Sequence, residues 1–295
     1  MSYPIKQHTT PQMHLRHFTD TLHRPDNRKT IYIYDKFQGK SRHQRITEVA
    51  HTRYFYDHRL DDGMIVSLEK ALGDIESRAK RALDAVCTHR VPQAVARHRD
   101  IIATFVAAQL VRTPVMRKEA GDTAAKLNKY ADRLEIERED LNDNELARKH
   151  LMQMLHMVPW VTNAFLGKAW VLLINKTGNP FWTSDHPVVR INPNAGHERE
   201  TGILSPGVAI YMPLHPEVQL AMVDSGPRGL TVEVQDATPW AVHCLNREQV
   251  AESLRYLFSP DDDFALAEET IRNWPEFADP DRERISETPP PIRDK

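Results

Sequence analysis

The fold is organised around the N-terminal stretch Lys6–Phe18, which reads KQHTTPQMHLRHF. Chain termini are usually disordered unless the rest of the fold holds them in place. Here Leu15 and Phe18 supply an apolar face that can dock on the body of the chain, and the proline of the stretch can begin a short helix. A terminus fixed in this way presents His8 and Gln12 at a defined place. We therefore expect functional residues to gather around this stretch.

The composition is that of a globular protein. The chain has 295 residues, of which 40% are hydrophobic and 27% charged, enough for one large domain or two smaller cores. Its apolar runs are too short to cross a bilayer, and the N-terminus has no apolar signal region, so we predict a cytoplasmic location and no membrane partner. Cys87 and Cys244 are too far apart in sequence to indicate a disulfide framework or a thiolate zinc site.

Charge is unevenly distributed along the chain. Residues 1–60 contain 11 Lys/Arg against 5 Asp/Glu, whereas residues 236–295 contain 7 against 14. A basic N-terminal third can bind an anionic ligand or nucleic acid. The alternative is that the two ends neutralise each other in the fold or are simply solvated, and the charge pattern alone favours this alternative. No residue pattern specifies an oligomeric state.

The hydrophobic periodicity predicts strands at both ends of the chain and helices between them. Expected strands cover 30–34, 42–47, 54–56, 170–174, 180–183, 188–191, 208–213, 218–223 and 230–234, and expected helices cover 68–86, 95–112, 120–136 and 143–157. Asn246 is placed to cap one further helix. We predict a single α+β domain over residues 1–260, with antiparallel strands near the N-terminus and in the C-terminal half around a central group of helices. Residues 261–295 are predicted to be an acidic, proline-containing, partly disordered extension.

The sequence contains none of the common motifs for phosphate loops, dinucleotide binding, nucleophile elbows or zinc proteases. Two regions of the chain nevertheless carry polar side chains that are candidates for a functional site, and the first holds Gln109 and Arg112. Gln109 and Arg112 continue the apolar stripe of a predicted helix, and a buried guanidinium suits carboxylate or phosphate binding. For a single arginine, an internal bridge to a carboxylate is the commoner explanation.

The second region holds Asp185, which follows a predicted strand and precedes His186 and a proline. Such an aspartate commonly bonds nearby backbone amides in a turn, although it can equally be a site carboxylate. His14 and His17 would share a helical face, as some metal ligands do, but no second suitably spaced pair follows. We assign no metal ligands and leave a divalent metal as an open alternative.

Together these segments resemble the domain of unknown function 4238 family (DUF4238). The family's opening pattern, His-x-x-Pro-Gln-x-x-Leu-Arg-x-Phe, is matched by His8, Pro11, Gln12, Leu15, Arg16 and Phe18. Its later patterns are matched by Tyr32-Ile-Tyr34-Asp35, Gln109-x-x-Arg112-Thr113-Pro114, Thr183–Val188, Pro213-Leu-His-Pro216 and Leu245-Asn246. His186 departs from the pattern, which more often has Asn there. The resemblance implies one domain and no reaction, and we assign structural or secondary roles to Arg16, Asn246 and His186.

Two functions remain in view. The first is a hydrolase or transferase acting on a phosphate-bearing substrate, nucleotide or nucleic acid, with His8 and Asp185 as catalytic residues. Its substrate would be bound by Gln12, Gln109 and Arg112. The second is a non-catalytic binding or regulatory module for nucleic acid or protein, in which the same residues form a structural polar network.

Overall fold

The structure is a computed structural model that describes residues 5–20, 25, 28–60, 62–133, 142–192, 202–226 and 229–284. Its helices are α1 (Gln12–Leu15), α2 (Glu69–His89), α3 (Pro92–Arg97), α4 (Arg99–Val111), α5 (Pro114–Arg133), α6 (Asp143–Leu166), α7 (Pro239–Glu252) and α8 (Ala265–Asn273). Its strands are β1 (Lys6–His8), β2 (Thr30–Asp35), β3 (Lys40–Arg45), β4 (His51–Arg53), β5 (Asp57–Arg59), β6 (Ile65–Ser67), β7 (Ala169–Asn175), β8 (Thr183–Ser184), β9 (Val189–Ile191), β10 (Ala209–His215), β11 (Val218–Val223), β12 (Val232–Ala237) and β13 (Tyr256–Ser259). The predicted α+β class is confirmed.

The largest core lies between a five-stranded sheet and the central helices. The sheet has the order β12-β7-β11-β10-β9, and its pairs are antiparallel except for β12 with β7. Helix α4 is apolar over most of its surface and buries Phe105 and Leu110 in this core, together with Trp170 of β7. A helix apolar on most sides must be surrounded, so α4 occupies the middle of the helical group.

A second sheet joins the two ends of the chain, in the order β3-β2-β13-β8. Strand β13 pairs antiparallel with β2 and with β8, so strands from the N-terminal and C-terminal halves share one sheet. Ile33 and the docking residues Leu15 and Phe18 fill one side of this sheet, whereas Tyr34 and Trp182 belong to the cluster that includes Phe264. The predicted docking of the N-terminal stretch through Leu15 and Phe18 is confirmed.

Two predicted strands are wrong. Residues 54–56 form a turn rather than a strand, because Tyr54 adopts a positive φ of 52° and its carbonyl accepts the Asp57 N–H (3.3 Å). Residues 180–183 do not form a strand that returns beside β7. Only Thr183–Ser184 is extended and paired, and its partner is β13 in the other sheet.

Several helix boundaries also differ from the predicted ones. The segment 95–112 is divided into α3 and α4 at His98, α5 begins already at Pro114, and α6 continues through Pro159 to Leu166. Residues 134–136 of the expected third helix lie outside the described residues.

Asn246 does not cap a helix: α7 begins earlier, with Pro239 in its first turn and the Thr238 hydroxyl accepting the Ala241 N–H (3.1 Å). Proline and threonine at these positions are typical of a helix start.

The described part of the C-terminal extension is folded. Helix α8 buries Ala267, and Phe264 before it packs with Tyr34 of β2 (ring centroids 5.4 Å apart). The Arg284 side chain reaches back to carbonyl oxygens at the end of α7. The boundary at residue 260 stays a prediction, and residues 285–295 lie outside the described part. No helix among the described residues is both long and apolar enough to span a membrane.

Candidate functional site

The N-terminal stretch is held against the segment that carries Asp185. A hydrogen bond joins His14 Nε2 to the Thr183 hydroxyl (2.9 Å), and the Thr10 hydroxyl donates to the Ser184 carbonyl (3.3 Å). Burial, and to a smaller extent His17, lowers the pKa of His14 to about 3, so this ring is neutral at pH 7. The contacts explain how two motifs more than 160 residues apart become neighbours.

Arg112 lies at the centre of a buried network behind β1. Its side chain is 2% exposed, and each guanidinium nitrogen has a partner. Nε donates to the Tyr56 hydroxyl (2.9 Å), Nη1 to a carboxylate oxygen of Glu76 (2.6 Å), and Nη2 to the backbone carbonyl of His8 (2.7 Å). Burial opposes the charge, but Tyr56 and Glu76 outweigh it and raise the pKa of Arg112. The Arg112 side chain therefore connects the end of α4 to β1 through the His8 carbonyl and to α2 through Glu76.

The Asp185 carboxylate is likewise bound by groups inside the fold. Its two carboxylate oxygens accept the backbone N–H groups of Leu254, Arg255 and Tyr256 at 2.8–2.9 Å, and the residue is 5% exposed. Burial raises the pKa of Asp185, and these three hydrogen bonds act in the opposite direction. The carboxylate thus fixes the turn between α7 and β13. Asp185 and Arg112 have no hydrogen-bond partner in common among the described residues.

The remaining predicted site residues are placed as follows. Gln109 is fully buried in α4, and neither atom of its amide has a partner among the described residues. His186 Nδ1 is 2.7 Å from the Thr113 hydroxyl, and burial, followed by Arg190 and Arg284, lowers its pKa. Gln109 and His186 therefore lie inside the fold, without access to a solvent-borne ligand.

The two predicted secondary residues also have defined positions. Asn246 lies inside α7, accepts the Trp182 N–H (2.9 Å) and donates to the Pro180 carbonyl (2.9 Å). It thereby ties the helix to the chain just before β8. Arg16 is half-buried, and its carbonyl accepts a hydrogen bond from the Thr19 hydroxyl (3.0 Å). Both residues are placed to stabilise local structure.

His8 and Gln12 differ from these residues because both are only half-buried. Gln12 Nε2 donates to His8 Nε2 (3.0 Å), so the neutral imidazole carries its proton on Nδ1. Burial lowers the pKa of His8 to about 4, and His51, Arg112 and Lys6 contribute in the same direction. The low pKa reflects a positive electrostatic environment as well as desolvation.

Positive charge collects on the two-stranded ribbon formed by β1 and β4. In this ribbon Lys6 lies directly opposite Arg53, and His8 lies opposite His51 with the ring centroids 5.6 Å apart. Residues at alternate positions of a strand share a face, so these four side chains form one surface, which we call the ribbon face. Burial and Lys6 lower the pKa of His51, so Lys6 and Arg53 carry the charge of the ribbon face at pH 7.

Lys6 and Arg53 are exposed, and within the described part of the chain neither forms an ion pair. The sequence reasoning did not single out Lys6, His51 and Arg53, nor the internal partners Tyr56 and Glu76. The charge excess of the first sixty residues indicated the ribbon face in general terms. The pairing of β1 with β4 has no local signal, because about forty residues separate the strands. Among the described residues, no group of three or more His, Cys, Asp or Glu side chains could hold a metal ion.

Comparison with known proteins identifies the family of this chain. Searches of curated proteins and of solved structures gave no match. A family model described as a protein of unknown function, DUF4238, matches residues 6–263, which begin in β1 and include the five-stranded and the four-stranded sheet. The chain therefore belongs to the DUF4238 family.

Proposed function

We propose that this protein binds a phosphate-bearing partner, a nucleotide or nucleic acid, on the ribbon face. The observation that carries the proposal is the exposed pair Lys6 and Arg53. Like charges directly opposite each other destabilise a strand pair, and neither side chain forms an ion pair with a described carboxylate. Phosphate groups bound between the two side chains would relieve this repulsion. The ring nitrogens of His8 and His51 and the Gln12 amide add hydrogen-bonding groups beside them.

The buried network gives the ribbon face its fixed position. Arg112 binds the His8 carbonyl, so it holds β1 through the backbone and not through the His8 side chain. Gln7 contributes from the buried side of β1, where its amide donates to Asp57 (2.8 Å) and accepts the Tyr56 N–H (2.6 Å). A binding surface supported in this way loses little conformational entropy when a ligand arrives. We propose that Arg112 acts through this support rather than by touching the ligand, and that Asp185 is likewise structural.

Fluorescence polarisation with labelled DNA tests the proposal. Fluorescein-labelled poly(dT) and a labelled duplex of equal length are titrated at low salt with the wild type, Lys6→Ala and Arg53→Ala. Each variant should bind more weakly, and removal of one phosphate-binding cation should reduce the salt dependence of log K by about 0.7 for single strands. Lys176→Ala is the matched control, because Lys176 is exposed but pairs with Asp236 (2.8 Å) far from the ribbon in sequence.

The proposal is wrong if neither probe nor ATP binds at low salt, or if the ribbon variants bind as tightly as the Lys176 control. A melting curve for each variant shows whether a loss of binding reflects unfolding. Lys6 and Arg53 are exposed, and removal of one of two facing like charges should leave the melting temperature unchanged or raise it.

A second candidate function is hydrolysis or transfer at a phosphoester, as part of the same proposal of a cytoplasmic, phosphate-binding protein. It is favoured by His8, whose half-buried ring is neutral at pH 7 and is oriented by Gln12. A neutral imidazole can accept a proton from water or a hydroxyl group, and for His8 this requires the substrate to displace the Gln12 amide from Nε2. Hydrolysis of bis(para-nitrophenyl) phosphate by the wild type, with its loss in His8→Gln but not in Lys176→Ala, would support this role. Binding of DNA without any turnover would leave the protein a binding module.

A further inference from the structure

Tyr54 stands out at the end of the ribbon, next to Arg53. Tyr54 is 54% exposed, and its N–H donates to the Ile5 carbonyl (3.1 Å). Ile5 is itself 51% exposed. Two large, exposed residues are thus the direct chain neighbours of the facing cations Lys6 and Arg53 at the open end of the ribbon. Singly exposed apolar residues are common on protein surfaces, so exposure alone does not indicate a role for Tyr54.

The backbone of Tyr54 provides the second observation. Its φ is +52°, in the left-handed region that tyrosine rarely adopts and glycine or asparagine adopts easily. A turn at this position does not require an aromatic side chain, and a smaller residue would form it at lower cost. Strained conformations persist where the surroundings enforce them, and they concentrate at binding sites. Phe55 and Tyr56, the next two residues of the same turn, are both buried in the main core and hold its backbone in place.

We propose that Tyr54 stacks against an unpaired base of a single-stranded nucleic acid whose phosphates contact Lys6 and Arg53. This inference rests on the proposed phosphate-binding function of the ribbon face and narrows its ligand to a single strand. A positively charged surface that follows the backbone, combined with an aromatic ring for the bases, is how proteins bind single strands without reading sequence. A duplex offers the same phosphates, but its bases are stacked on each other and cannot reach the ring.

The test compares two substitutions of Tyr54 with opposite structural effects. Tyr54→Ala and Tyr54→Gly should each weaken binding of labelled poly(dT) by about 5- to 150-fold, the range expected for one stacked base. Tyr54→Gly should at the same time keep or raise the melting temperature, because glycine accepts the positive φ. A purely structural role of Tyr54 cannot produce that combination. Tyr54→Phe retains the ring and should bind as the wild type does.

Salt titration and controls separate this inference from the proposed function. Tyr54→Gly should leave the salt dependence of binding unchanged and should not weaken duplex binding, whereas Arg53→Ala should reduce the salt dependence. Trp240→Ala is the matched control, since Trp240 is an exposed aromatic residue on α7, distant in sequence. An excess of thymidine monophosphate that displaces poly(dT) would show that a nucleotide, not a strand, is the ligand and would overturn the inference.

Two further outcomes are decisive. If both Tyr54 variants bind poly(dT) as tightly as the wild type while Arg53→Ala binds weakly, the stacking role is wrong and the phosphate-binding function stands. If poly(dT), the duplex and ATP all fail to bind the wild type, the proposed function itself is wrong.

Discussion

Replacement of Arg112 by methionine tests whether the buried network is structural. Methionine keeps the apolar stem of the side chain and removes the guanidinium, so the variant cannot form the bonds to Tyr56, Glu76 and the His8 carbonyl. Breaking a buried ion pair by removing one partner costs about 3–5 kcal/mol, mainly because the other charge is left without compensation. Glu76 is 25% exposed, so water can partly rehydrate its carboxylate.

The loss should therefore be at the lower end of that range, about 3 kcal/mol in the free energy of unfolding. The His8 carbonyl adds little, since the Tyr56 hydroxyl also lies within hydrogen-bond reach of it (3.4 Å). For a domain of this size the loss corresponds to a decrease in melting temperature of about 6–12 °C. Urea unfolding followed by circular dichroism measures the free energy, and an unchanged m-value shows that the unfolded state is not altered.

The matched control is Lys176→Met, which breaks an exposed ion pair with Asp236 and should cost less than about 1 kcal/mol. Arg112→Met combined with Glu76→Met should recover part of the loss, because no uncompensated charge then remains. A single variant Arg112→Met that is no less stable than Lys176→Met would refute the structural role. Arg112 would then regain its predicted role in ligand binding.

Three further predictions concern buried groups. Asp185→Asn should lose about 2–3 kcal/mol in urea unfolding, because a neutral amide replaces a carboxylate that accepts three backbone N–H groups, and an unchanged stability would contradict this account. Gln109→Met should raise the free energy of unfolding by about 1 kcal/mol, since it replaces a buried amide without described partners by an apolar side chain of similar shape, and a loss of stability would show that the amide is satisfied. His14 has a folded pKa of about 3 against 6.5 in a free side chain, so the unfolded chain binds the proton first and stability falls as pH drops below 6.5. His14→Gln should make the dependence of unfolding free energy on pH shallower by up to about 1.4 kcal/mol per pH unit in that window, and an identical slope in the variant would refute the buried neutral imidazole.

Local patterns in the sequence correctly predicted the strands and helices whose structure does not depend on one particular packing partner. Strand β2 has the β-branched and aromatic residues of a half-buried strand, and the apolar stripe of α2 matches its observed buried face. The docking of Leu15 and Phe18 also followed from their spacing. By contrast, Asn246 has the composition of a helix cap but lies inside α7, where its amide satisfies backbone groups of Pro180 and Trp182. Its role depends on another segment, which a local pattern does not show.

Composition and periodicity were enough to predict the α+β class, and the resemblance of the motifs was enough to predict the family, because both depend on residues close together in the chain. The roles of the candidate site residues follow from the folded arrangement instead. In the sequence, Arg112 and Asp185 both resemble ligand-binding residues. In the fold, Arg112 binds partners 36 to 104 residues away, and Asp185 binds backbone groups 69 to 71 residues away. The pairing of β1 with β4 likewise created the facing cations of the ribbon face. Long-range pairing is set by the packing of the whole core, so the surface it produces appears only in the folded molecule.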